Sequence, residues 1–163
     1  MEGLPMVKSF VMALGLTLAL STAVSAQSPE QILDQWATYW SSPADFDKLL
    51  SLFTDDCVYE DVTFGVVNHG KEELRAFAKG FFAAFPDVSM KNTATFVAGD
   101  RAAIEWVFTG THKGDMPGMP ATGKVSTLRG ATIIEFRDGK ISRNSDYWDL
   151  ATFMRQDGLL PSK

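Results

Sequence analysis

The chain is poor in groups that cross-link or bind metals. Cys57 is its only cysteine, and His69 and His112 are its only histidines. A single cysteine makes no internal disulfide, so the domain must stand on its core or on an oligomer. Cys57 sits in "CVYEDV" with no histidine near it in sequence, and reads as a small buried hydrophobe rather than a nucleophile. No Cys/His/Asp cluster has ligand spacing, so no metal site is expected. Positive charge is also short. Fifteen Lys and Arg face 20 Asp and Glu, giving a net charge of −5 and a pI of about 4.9. That balance does not suit a phosphate backbone and argues against a nucleic-acid partner. Repeats, linkers and low-complexity runs are missing too, which leaves one domain.

Long apolar runs are confined to the start. Ser9 to Val24 is apolar over roughly 15 residues, the length of a signal-peptide core and short of a membrane span. "AVSAQ" follows, with small residues at Val24 and Ala26. Residues 1–26 are therefore expected to be a signal peptide, with cleavage after Ala26. The mature domain would be 27–163, secreted or periplasmic, with no membrane attachment after cleavage. The alternative, an uncleaved anchor, lacks a charged stop-transfer cluster behind it.

What the chain has in quantity is aromatic: 12 Phe and 4 Trp. They can build a large core, or one that also lines a cavity. Ser28, Pro29 and Gln31 form a helix start, with Ile32, Trp36, Tyr39 and Trp40 on one face behind it. A short helix is expected over Pro43 to Leu52, and "CVYEDV" as a strand. "GKEELRAFAKGFFAAF" keeps three- and four-residue apolar spacing until Pro86. The period then becomes two. Strands are expected at Val88 to Ala98, Arg101 to Thr109, Val125 to Arg137 and Lys140 to Trp148. Asp138-Gly139 is the strongest hairpin signal. A last helix opens at Asp149 and stops at Gly158. The order is α+β: N-terminal helices, an antiparallel meander and a helical tail.

Several polar residues invite a chemical reading. Asp149 precedes a helical apolar face and reads as an N-cap. Asp146 lies within the strand, where alternation leaves it either a solvated acid or a carboxylate aimed into an aromatic cavity. In the second case burial would raise its pKa toward neutrality, the range of acid/base work. Glu105 is another acid in an apolar strand. Tyr59 and Asp61 share one side of the first strand, because successive side chains alternate. His112 lies in the Gly/Pro-rich "THKGDMPGMPATGK", either solvated or reaching a ligand. Met116 and Met119 there suit an apolar lid, or packing beneath the loop. Arg129 could pair with Glu105 or with Asp146.

Together, "FTDDCVYEDVTFG", "HGKEELRAFAKGFFAAFPDV", "FRDGKIS" and "DYWDLATFMRQDGLLP" resemble the SnoaL-like polyketide cyclases. These belong to the superfamily of nuclear transport factor 2 and ketosteroid isomerase. The resemblance runs from about Pro29 to Pro161. It implies a cone-shaped α+β barrel, with helices on a curved antiparallel sheet around an apolar pocket, and a homodimer through the sheets. It also implies cofactor-free acid/base chemistry on a small apolar carbonyl compound, of aldol cyclase or isomerase type, with the acid on Asp146. Tyr59, Asp61, Glu105, His112 and Asn144 are then the expected substrate-binding residues. Where family sequences commonly read His-Trp before the acid, this chain has Asn144-Ser145. "SDYWDLATF" is also similar to a segment of limonene epoxide hydrolase. There the Arg-x-Asp of a middle strand falls on Val107 and Thr109, which removes two key groups of that chemistry. A non-catalytic module that holds a small ligand in the same fold is the first alternative, and epoxide hydrolase-like water addition the weaker one.

Overall fold

A computed structural model describes residues 27–161. The expected signal peptide, 1–26, lies outside the described residues. Helix α1 (Pro29–Trp40) starts with the full capping box. Ser28 Oγ accepts from Gln31 N at 3.3 Å, and Gln31 Oε1 accepts from Ser28 N at 3.0 Å. A 3₁₀ turn (Pro43–Asp45) leads into α2 (Phe46–Ser51). Strand β1 (Phe53–Asp61) is followed by β2 (Val66–His69) and α3 (Gly70–Ala84). Strands β3 (Ser89–Ala98), β4 (Arg101–Thr111), β5 (Val125–Arg137) and β6 (Lys140–Trp148) form the meander. Helix α4 (Leu150–Gln156) ends the fold. No helix among the described residues is long and apolar enough to cross a membrane.

The six strands form one open sheet in the order β2-β1-β6-β5-β4-β3. The meander is antiparallel as expected, but β1 joins β6 in parallel, so the sheet is mixed and does not close into a barrel. Strand β2 has no counterpart in the sequence reading. At four residues on the sheet's edge it is too short to declare a period. The β5–β6 hairpin turns at Asp138-Gly139, where both residues take positive φ, 53° and 71°, the geometry that selects Asp-Gly.

Helices α1 and α3 pack across the concave face of the sheet. Between them lies a core of Trp36, Trp40, Leu74, Phe82 and the inward residues of the strands. Cys57 is fully buried in it, as expected, and burial pushes its thiol up. The inward face of β4 carries Ile104, Trp106 and Phe108, all buried. Its outward face carries Ala103, Glu105 and Val107.

Strand β6 departs from simple alternation. Glu135 pairs with Arg143 and Phe136 with Ile141, so Ser142 is an extra residue in the ladder. This bulge puts Ile141 on the same face as Asn144, Asp146 and Trp148. It is the reason neither face of β6 looks apolar when the strand is read by twos.

Candidate active site

The concave face encloses a cavity walled by aromatic rings from every layer. Trp36 and Trp40 come from α1, Phe77 and Phe81 from α3, Trp106 from β4 and Trp148 from β6. Met116 reaches it from the β4–β5 loop, where Met116 and Met119 exchange backbone hydrogen bonds of 2.9 Å in a tight turn. About 640 Å³ of the cavity is empty of atoms, its open mouth included. Two acids line it, Asp61 and Asp146, and among the described residues no Lys, Arg or His does.

Asp146 is 6% exposed. Its carboxylate accepts three hydrogen bonds, all from neutral donors. Thr132 Oγ1 donates to Oδ1 at 2.6 Å and Asn144 Nδ2 to the same oxygen at 2.7 Å. The Tyr59 hydroxyl donates to Oδ2. Burial raises the carboxyl pKa from 3.8 to about 6, against the lowering effect of the three donors. Desolvation therefore wins, and the group titrates close to neutrality. Tyr59, itself buried, is pushed well above the usual phenol range by burial and by the carboxylate beside it.

Asp61 stands beside Asp146 as its Cα partner in the parallel β1–β6 pair. Trp148 Nε1 donates to both of its oxygens at 3.1 Å, and Phe64 N donates to Oδ1 at 2.9 Å. Its pKa is raised, chiefly by burial.

The remaining expected residues fall into three positions. Asn144 is fully buried behind Asp146 and orients it. His112 is neither solvated nor on the cavity wall. It is fully buried, stacked on Phe85, with Nδ1 2.5 Å from Asp157 Oδ2. Ser126 Oγ donates to the other Asp157 oxygen at 2.9 Å. This pairing ties the start of the β4–β5 loop to the end of α4, and accounts for a histidine in a Gly/Pro-rich segment. Glu105 does not line the cavity either. It faces outward on β4 and reaches Arg129 at 3.7 Å, so Arg129 pairs with Glu105 and not with Asp146. The alternating pattern had placed Glu105 on the Ala103-Val107 face, and that face is the outer one. Asp149 caps α4, accepting from Thr152 N at 2.9 Å, as expected.

Sequence reasoning missed Thr132, Trp36 and Trp106 as parts of the polar site. Trp36 Nε1 donates to Asn144 Oδ1 at 3.0 Å, and Trp106 Nε1 to Thr132 Oγ1 at 2.8 Å. The Trp106 ring lies over its cross-strand partner Gly130, where a Cβ would stand 2.3 Å from the indole carbons. A glycine inside a long strand was the available signal, because it marks a close approach.

Comparison with known proteins bears on the family and the fold. The family model described as SnoaL-like polyketide cyclase matches residues 30–157. The cyclase aurE of Calcarisporium arbuscula is 28% identical over 115 residues, covering 70% of this chain and 82% of its own. A protein of Catenulispora acidiphila with the ketosteroid isomerase-like fold, solved with trimethylamine, is 28% identical with a TM-score of 0.71. That match covers 83% of this chain and 96% of the other. A candidate SnoaL-like polyketide cyclase from Jannaschia superposes with a TM-score of 0.73 at 19% identity, covering 83% and 98% of the two chains. At that identity it bears on the fold alone.

Proposed function

The chain belongs to the SnoaL-like polyketide cyclase family, and from that premise we propose that it is a cofactor-free acid/base enzyme acting on a small apolar carbonyl compound. The observation that carries this reading is Asp146: a buried carboxyl at the wall of an aromatic cavity, titrating near neutrality. Asp146 takes a proton from the carbon next to the carbonyl and returns one as the ring closes or the double bond moves. Proton transfer is efficient when the base has a pKa near the working pH and stands within hydrogen-bond reach. Tyr59 and Asp61 orient the substrate. The supporting geometry is that both share the cavity with Asp146.

The test needs no knowledge of the natural substrate. Purified protein is incubated in D₂O with a panel of aryl ketones and 1,3-diketones, and loss of the α C–H signal is followed by NMR. Wild type exchanges at least one of them faster than buffer, and Asp146→Asn binds that compound but does not exchange it. Binding without exchange by wild type across the panel would instead indicate a ligand-holding module of the same fold.

The protein is further proposed to act after export, once residues 1–26 are removed, and as a homodimer. The dimer reading is supported by the outer face of the sheet. Phe96, Ile133 and Tyr147 stand there 62%, 45% and 46% exposed, beside the Arg129–Glu105 pair. Apolar exposure of this kind on a sheet marks an interaction surface. Sedimentation equilibrium should give twice the chain mass for wild type and the single mass for Ile133→Glu.

A further inference from the structure

Each group behind Asp146 Oδ1 is itself held by an indole. An indole N–H only donates. Trp106 Nε1 donates to Thr132 Oγ1, which takes up one of its two lone pairs and biases its one hydroxyl proton toward Asp146 Oδ1. Trp36 Nε1 donates to Asn144 Oδ1, which fixes the amide and turns its Nδ2 to the same carboxylate oxygen. Oδ1 thus receives an amide donor pinned from behind and a hydroxyl donor biased the same way. Oδ2 meets only the Tyr59 hydroxyl, whose one hydrogen bond is to Asp146 and which is free to rotate.

We propose that Trp36 and Trp106 are positioning residues which, through Asn144 and Thr132, hold Oδ1 as a permanent acceptor and confine the exchangeable proton of Asp146 to Oδ2, beside Tyr59. This deepens the proposed function and rests on Asp146 being its acid/base group. When Asp146 takes up a proton, it is Tyr59 that turns, from donor to acceptor. The substrate carbon that gives up the proton must then approach from the Tyr59 side of the carboxyl. The other titratable groups at the cavity are Tyr59 and Asp61, both on β1, and no charged group faces Asp146 from α1, α3, β4 or β5.

The test reads Asp146 directly. The full-length protein is labelled with ¹³C at aspartate carboxyls, and the Asp146 resonance, assigned by its loss in Asp146→Asn, is titrated. Thr132→Val removes a donor to the anion, and its midpoint should rise by about one pH unit, while Thr132→Ser stays at the wild-type value. Trp106→Phe and Trp36→Phe leave the carboxylate untouched but release the groups that feed it, so their midpoints should also rise. If the indoles only fill space, their loss admits water, which stabilises the anion and lowers the midpoint. An unchanged or lowered midpoint in either tryptophan variant, or in Thr132→Val, overturns the proposal. Should one tryptophan variant fail to fold, the other still decides, with the Val/Ser pair at position 132 as its reference. Loss of the exchange activity alone would count against the enzyme reading and leave this titration result standing.

Discussion

Asp146 and Asp157 are both buried aspartates bonded on both oxygens, Asp146 by two hydroxyls and an amide nitrogen, Asp157 by one hydroxyl and a ring nitrogen. They differ in what lies on the remaining side. Asp157 is enclosed by His112 and Ser126 behind the aromatic wall, and its bonds join a loop to a helix end. Asp146 faces the cavity, and its donors are neutral. Burial with a histidine partner makes a strut, whereas burial beside empty space leaves a carboxyl that can still exchange a proton with whatever enters. The side chain is the same, and the surroundings decide between stability and chemistry.

The sharpest way to break that contrast is Asp146→Asn. It should lower α-proton exchange by about 10²- to 10⁴-fold, with the fold intact by circular dichroism. At the other site the loss should appear in folding. Asp157→Leu strands His112 and Ser126 without a partner, and should cost about 3 kcal/mol in denaturant unfolding. Exchange per folded molecule should be unaffected. If Asp157→Leu removes activity at full stability, the division between the two sites is wrong.

A smaller effect follows from acidity. The Asp146 carboxyl is raised from 3.8 to about 6 in the folded state. Between those values the folded chain binds more protons than the unfolded one, so this group's contribution falls as pH rises through that window. It is fully present below about pH 4 and gone above about pH 6. The stability difference between wild type and Asp146→Asn should therefore shift against wild type by about 2 kcal/mol from pH 4 to pH 7. A difference that stays flat with pH would mean the carboxyl is not desolvated. The smallest change is expected at Asp149. Its replacement by alanine removes the α4 cap and should cost about 1 kcal/mol, with unchanged exchange.

Much of this was legible in the chain. Spacing and caps gave α1, α3, α4 and the four meander strands, because those elements are long and end on Ser, Pro, Gly or Asp with clear geometric roles. Tyr59 and Asp61 could be placed on one side of β1 by alternation alone. The polar network could not be placed so. Counting outward from the Asp138-Gly139 turn pairs Thr132 with Ser145, whereas the structure pairs it with Asp146. The one-residue difference is the bulge at Ser142, and no local composition announces it. Glu105 misled for a related reason. An acid among Ala and Val suggests a buried site, but a sheet face with an apolar stripe looks the same in sequence whether it faces inward or outward.

Gly130 carries no polar side chain and touches no proton, yet it decides where the Trp106 indole lies and hence what reaches Asp146. The acidity of the Asp146 carboxyl is, on the proposal above, adjustable by volume alone. Even a single methyl group at position 130 would meet the ring and turn its N–H away from Thr132. For protein engineering this offers a control remote from the reactive groups. For a lineage under selection it means the pocket's working pH can drift through substitutions that add no charge and no hydrogen bond.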